Sequence, residues 1–202
     1  MTARRPLTVS SLIALLAACT STPVHFHTLM AAPVDPNVAR RASSMYYVNV
    51  ESVRVPAQVD RIEMVVRKNT DEMELLNNEL WIASLGEEIQ TAMAFEINRA
   101  LNSADASGIA GTPTELTLRL VIERFESFPS RYTVVDASWE LRDKSAAPKL
   151  VLKCRSYADE RIGNGYIELV RGQQRAVAWI ADQIAIAVRR LIIEQSAVCP
   201  PP

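Results

Sequence analysis

One cysteine near the N-terminus has the neighbours that covalent lipid attachment requires. Residues 16–19 read LAAC, which is the order of a bacterial lipobox, with small residues before a cysteine that accepts lipid. The pattern predicts a diacylglyceryl group on the thiol of Cys19. It also predicts cleavage of the chain between Ala18 and Cys19, and a further acyl chain on the amine that cleavage frees.

The residues before this box have the features of a secretory signal. Arg4 and Arg5 form a positive n-region, and residues 7–18 form a short apolar h-region. Each buried CH₂ contributes about 0.8 kcal/mol, so two or three acyl chains would hold a soluble domain at a membrane surface. A plain cleaved signal followed by a chance cysteine is the alternative interpretation.

The other two cysteines, Cys154 and Cys199, form an even pair. In an oxidising compartment, two thiols that can approach each other usually form a disulfide. Such a bond would tie the C-terminal tail to the body of the domain. Two free thiols remain the alternative, because the sequence does not give the distance between the two Cα atoms.

His25 and His27 are the only histidines, and alternate residues of a strand face the same way. Together with Cys154 and Cys199 they would offer a two-histidine, two-cysteine ligand set. The spacings match no zinc module. We therefore predict no metal site and expect both histidines to face solvent.

Catalytic motifs are absent from the sequence. It contains no G-x-S-x-G elbow, no H-E-x-x-H and no phosphate-binding glycine loop. Asp159 and Glu160 could form a carboxylate pair, but adjacent strand residues face opposite ways. The sequence predicts that the protein is not an enzyme and that its only non-protein group is the lipid on Cys19.

Length and charge limit the remaining classes. The chain has 202 residues, enough for one domain with a full core once a signal is removed. Loss of Arg4 and Arg5 would leave 20 basic against 23 acidic residues, a balance that does not favour nucleic acid as a partner. The most apolar later stretch, residues 176–193, contains Asp182 and two arginines, which exclude a second membrane span.

Period-two alternation predicts the strands. A brief strand is expected at residues 26–29, a longer one at 46–55, and a hairpin at 62–67 and 72–76. Three more strands have inward rows at 116–122, 135–141 and 150–154, joined by links at 126–131 and 143–149.

Two segments predict amphipathic helices. Ser84 and Glu87 form a capping box, after which apolar residues recur every four positions from Leu85 to Leu101. The second and longer helix begins near Tyr166, and its apolar stripe is expected to face the core rather than a membrane surface. The elements together predict an α+β fold, a two-layer sandwich in which a mostly antiparallel sheet carries two amphipathic helices on one face.

The predicted domain organisation has three parts. Residues 1–18 are the lipoprotein signal peptide, and residues 19–45 are a lipidated leader with the first short strand and a loop. Residues 46–202 form the single α+β domain.

Several landmarks of this sequence resemble one known family. They are the lipobox, residues 26–29 (FHTL), residues 53–61 (VRVPAQVDR) and residues 80–81 (LW) leading into the capped helix. The set resembles the ABC-type transport auxiliary lipoproteins, the PqiC-like group, from the lipobox to the last helix. Ser84 departs from the proline expected in many relatives, but serine also starts a helix.

This resemblance implies a periplasmic lipoprotein that works with an MCE-domain protein, a permease and an ATPase. Such a system moves lipids or other hydrophobic compounds between the two membranes, and the lipoprotein would dock the MCE conduit at the outer membrane. Thr20 agrees with an outer-membrane location, because an aspartate there tends to retain enteric lipoproteins in the inner membrane. A ring-shaped conduit would favour a homo-oligomer. The alternative is another outer-membrane adaptor, either a cell-wall synthase activator or an outer-membrane assembly factor.

Overall fold

The computed structural model describes residues 22–31, 46–103, 114–143, 150–194 and 196–201. Within these ranges the chain forms seven strands and two helices. The strands are β1 (His25–His27), β2 (Tyr46–Arg54), β3 (Glu63–Arg67), β4 (Met73–Trp81), β5 (Thr114–Phe128), β6 (Tyr132–Asp143) and β7 (Leu150–Arg161); the helices are α1 (Leu85–Leu101) and α2 (Tyr166–Ile193). The expected signal, the lipobox with Ala18 and Cys19, and most of the link at 143–149 lie outside the described residues.

The strands form two sheets. One has the order β1-β4-β3 and the other the order β2-β5-β6-β7. The predicted α+β sandwich with mostly antiparallel strands is confirmed, but the strands are divided between two sheets, and β1–β4 and β2–β5 pair in parallel. Parallel pairing requires a long crossover, and the β3–β4 hairpin with α1 provides one between β2 and β5.

Two strands are longer than the alternation indicated. β4 continues to Trp81, and β5 continues to Phe128. The predicted link at 126–131 is therefore shortened to a turn at residues 129–131. A register shift between Ile122 and Arg124 explains the error in β5, because a bulge breaks the period-two pattern while the strand continues.

The predicted apolar stripes of both helices are confirmed as core. In α1, Leu85, Ile89 and Met93 are buried. In α2, Val177 and Ile184 are buried, while Tyr166 at its start is half-buried against the core. α1 packs on β2 and α2, and α2 packs on β6 and β7. The three-stranded sheet β1-β4-β3, called the small sheet below, also contributes residues to this core. They are Met64, Val66, Leu76 and Trp81.

The face of the four-stranded sheet opposite the helices carries ion pairs between neighbouring strands. Arg119 donates to Glu51 at 2.7 Å, and Arg155 donates to Asp136 at 2.5 Å. The Arg119–Glu51 pair is exposed, and pairs of that kind contribute about 0–1 kcal/mol. No helix in the described ranges is both long enough and apolar enough to cross a bilayer.

Candidate functional site at the first strand

The strand β1 is the first element that follows the expected lipid attachment position. Thr22 is three residues after Cys19, and β1 begins three residues later at His25. The contacts that hold β1 to the rest of the fold would therefore also connect the domain to a lipid on Cys19. Three side chains from three different elements make these contacts, to His27 at the end of β1 and to Thr28 and Leu29 directly after it. We call Glu79, Glu88 and Gln174 the strand clamp.

Glu88 in the first turn of α1 makes the most buried contact of the clamp. It is only 5% exposed. One of its carboxylate oxygens accepts from the backbone N–H of Leu29 and from the hydroxyl of Thr28, both at 2.8 Å. Hydrogen bonds to an ionised acceptor are about twice as strong as neutral ones. Glu88 thus fixes the end of β1 to α1.

Gln174 and Glu79 bind β1 from α2 and from β4. The side-chain amide of Gln174 donates to the carbonyl oxygen of Thr28 at 3.0 Å. On β4, Glu79 accepts from His27 Nε2 at 2.5 Å. Backbone pairing with β4 adds a parallel register in which Phe26 lies opposite Leu80. The clamp therefore connects β1 to both helices and to the small sheet.

The two histidines do not behave alike. His25 is exposed as expected, but the expectation for His27 is wrong, because its side chain is only 13% exposed. The parallel pairing with β4 turns His27 toward Glu79, which the sequence pattern around β1 did not indicate. Within the described ranges, no group of three or more histidine, cysteine, aspartate or glutamate side chains is placed to hold a metal ion.

A disulfide joins Cys154 on β7 to Cys199 in the C-terminal tail, with the Cα atoms 5.6 Å apart. The tail is thus attached to an edge strand of the four-stranded sheet. Both sulfurs are used by this bond, so the alternative metal site with two histidines loses its sulfur ligands.

Apolar side chains lie exposed on and beside β1. Phe26 and Ile82 are each 64% exposed, and Val24 is 48% exposed. Phe26 lies in β1 opposite Leu80 of β4, Val24 comes just before β1, and Ile82 comes directly after β4. We call Val24, Phe26 and Ile82 the apolar patch.

A buried carboxylate joins the two sheets. Glu126 on β5 accepts from Arg67 of β3 at 2.6 Å, from Arg124 at 2.7 Å and from the hydroxyl of Tyr132 at 2.9 Å. Burial acts to raise the pKa of Glu126, but the three hydrogen bonds outweigh it and lower the pKa to about 2. A carboxylate with so low a pKa is a poor general acid or base near neutral pH, so its role here is structural.

Neither the Asp159–Glu160 dipeptide nor the cleft beside β2 has the geometry of a catalytic site. Glu160 accepts from Arg175 at 2.9 Å while Asp159 is exposed on the other face of β7, so the two do not form a catalytic pair. A cleft of about 320 Å³ lies at the register shift of β2. Its lining contains the Glu51–Arg119 ion pair, Ser52 and Arg54, and no histidine or cysteine.

The sequence analysis missed the strand clamp and the apolar patch. For Glu88 a signal was present, because it lies three residues after Leu85 and falls on the apolar stripe of α1, where a charged residue needs a buried partner. For Gln174 no local signal existed, since its partner Thr28 is 146 positions away in the chain.

Comparison with known proteins identifies the family. Residues 27–185 match the family model of the ABC-type transport auxiliary lipoprotein component, and the chain belongs to this family. The resemblance seen in the sequence is confirmed. Membership implies a membrane-anchored periplasmic protein associated with an ABC-type transport system.

Two solved structures have a similar fold. One is of an uncharacterised protein with 19% identity and a TM-score of 0.63; the match covers 83% of this chain and 99% of that one. The other is of a Xanthomonas campestris protein of the family DUF330, with 12% identity and a TM-score of 0.55, covering 85% and 96% of the two chains. No curated protein matches the chain. At these identities the two structures support the fold alone.

Proposed function

We propose that this protein is a non-catalytic, lipid-anchored adaptor of an MCE-type ABC transport system that moves lipids or other hydrophobic compounds between the inner and outer membranes. The observation that carries the proposal is the family match, which begins at His27 in β1 and extends through most of α2. In this proposal Cys19 carries the diacylglycerol and the N-acyl chain after cleavage at Ala18. The anchor lies in the outer membrane, with Thr20 in place of an inner-membrane retention signal.

The strand clamp supports a role that depends on position. An adaptor has to keep a docking domain at a fixed place relative to its anchor. Glu79, Glu88 and Gln174 connect the strand nearest to Cys19 with both helices and the small sheet, so the domain is held to its anchor through several elements. A domain attached only through a flexible linker would sample a much larger volume.

The anchor is tested by comparing two cysteine variants expressed in cells. The Cys19→Ala variant is expected in the soluble periplasmic fraction and without labelled palmitate, because it lacks the acylated thiol. The Cys154→Ala variant is the control, since it loses a cysteine but keeps the lipobox. Membrane retention of Cys19→Ala would show that the assignment of the anchor is wrong.

The partner is tested by crosslinking intact envelopes and purifying the tagged full chain. Recovery of an MCE-domain protein with the wild type, and its loss with Cys19→Ala, is the expected result. Lipid mass spectrometry of the purified complex then identifies the cargo. Recovery of a peptidoglycan synthase or a barrel protein in its place would contradict the proposal and favour a different envelope adaptor. Crosslinked multiples of this chain would indicate a homo-oligomer, which a ring-shaped conduit favours.

A further inference from the structure

We infer that the apolar patch of Val24, Phe26 and Ile82 lies against the bilayer interface of the membrane in which the protein is anchored. The inference rests on the proposed acylation of Cys19. It adds a second membrane contact, made by the folded domain itself, to the contact made by the acyl chains.

The patch lies along two neighbouring strands, with Phe26 in β1, Val24 just before β1 and Ile82 just after β4. Phe26 pairs with Leu80 in the parallel register, and the N–H of Ile82 donates to the carbonyl oxygen of His27 at 3.1 Å. Ile82 therefore lies one residue beyond Trp81, the last residue of β4 that pairs with β1, and remains beside β1. Three large apolar side chains, two of them 64% exposed, are thus concentrated at one edge of the small sheet. Exposed apolar groups gathered in this way mark an interaction surface.

Chain length decides between the possible occupants. Val24 lies five positions after Cys19 in the chain, and Phe26 lies seven positions after it. A fully extended chain spans at most about 3.6 Å per residue, so Phe26 lies within about 25 Å of the acylated sulfur in any conformation of the leader. Because the acyl chains are in the bilayer, the membrane surface is always within reach of the patch. A protein partner or a second copy has no such tether to the patch.

Other exposed apolar residues are not held near Cys19 by a short stretch of chain. Tyr157 on β7 is 46% exposed, but no short connection ties it to Cys19. It therefore serves as a matched aromatic control.

The clamp and the local charges agree with a membrane contact. Because Glu88 and Gln174 fix β1 to the helices, the patch cannot approach the bilayer without bringing the domain with it. Glu63 of β3 lies opposite Leu80 in the β3–β4 register, and its carboxylate forms an ion pair with Arg61 at 3.1 Å. This neighbouring pair carries no net charge, so apolar burial and the short tether provide the attraction.

The test uses the acylated full-length protein in vesicles of phosphatidylethanolamine and phosphatidylglycerol whose acyl chains carry bromine near the headgroup. A Phe26→Trp variant reports on the patch, and a Tyr157→Trp variant is the control. The emission of the three native tryptophans, measured on the wild type, is subtracted from each. Acylation of both variants is verified by mass, so that a failed anchor and a failed patch are distinguished.

Bromine is expected to reduce the added emission of Phe26→Trp by at least about twofold, because a side chain in the interface lies within roughly 5–10 Å of the acyl boundary. The emission of Tyr157→Trp should be almost unchanged. Equal quenching of the two variants, with acylation intact, would overturn the inference and leave the proposed adaptor role untouched. The inference would also be wrong if the emission of Phe26→Trp depended on the protein-to-lipid ratio and not on bromine. That result would indicate that a second copy of this chain covers the patch. Absence of the acyl mass would overturn both the anchor and the inference.

Discussion

Removal of the Glu88 carboxylate should release β1 without unfolding the domain. In the Glu88→Ala variant, the N–H of Leu29 and the hydroxyl of Thr28 lose their acceptor. Thr28 is half-buried and can turn to water, but Leu29 is buried, so its N–H would remain without a partner. A buried unsatisfied donor costs about 1–3 kcal/mol, and a hydrogen bond to a charged group contributes about 1.5–3 kcal/mol. We expect local opening of β1 to become easier by about 2–4 kcal/mol.

Hydrogen exchange followed by mass spectrometry measures this change directly. A difference of 2–4 kcal/mol corresponds to an increase of about 30-fold to 1000-fold in the opening equilibrium. Peptides that cover residues 22–31 should therefore exchange much faster in Glu88→Ala, while peptides from β6 should keep their protection. Circular dichroism should show unchanged helix content.

Glu96→Ala is the matched control for this experiment. Glu96 is also a buried carboxylate of α1, but its hydrogen bond is to Arg99 of the same helix at 2.7 Å. Its loss should leave exchange at residues 22–31 unchanged. If both variants accelerate exchange there equally, or if Glu88→Ala has no effect, then Glu88 does not hold β1 and the strand clamp is incorrectly assigned.

Three further predictions concern the stability of the domain. The folded pKa of Glu126 is lowered to about 2, so its contribution to stability is complete above the ordinary carboxyl range and is lost as the pH falls toward 2. Between pH 5 and 2, wild type should lose about 2–3 kcal/mol more than Glu126→Gln in urea titrations, after allowance for solvent screening. Parallel pH profiles of the two proteins would contradict this. Replacement of Cys154 and Cys199 by alanine should lower the free energy of unfolding by up to about 4 kcal/mol, because the disulfide closes a loop with a sequence separation of 45. If the wild type has the same urea midpoint with and without reductant, this prediction is wrong. In Gly172→Ala, the added Cβ would lie 2.2 Å from Cγ2 of Ile162. We expect the free energy of unfolding to fall by about 1–2 kcal/mol, although alanine has the better helix propensity. An increase in the melting temperature would show that the contact relaxes freely.

Features that depend on neighbours in sequence were predictable. The helix bounds at Leu85 and Leu101 follow from a capping box and a four-residue repeat, and Glu87 does accept from the Ser84 N–H at 3.1 Å. The inward rows of β5 to β7 follow from alternation. Both signals arise within one element, where backbone geometry alone decides which side chains share a face.

Features that join distant parts of the chain were not predictable. The third strand of the smaller sheet depends on where β1 pairs, and its parallel partner β4 lies beyond β2 and β3 in the chain. His27 was expected in solvent because nothing near it in sequence indicates Glu79, which is 52 positions away. The contact of Glu126 with Arg67 spans 59 positions. Alternation and helical periodicity contain no information on such pairings.

The bond between Gln174 and Thr28 affects the order of events during biogenesis. The carbonyl oxygen of Thr28 can receive its donor only after α2, the last helix of the chain, has been synthesised and folded. Contacts over so long a separation form late in folding. Until then β1 remains free of α2. In the proposed lipoprotein, the segment next to Cys19 would therefore be open to a processing enzyme before the folded domain closes around it.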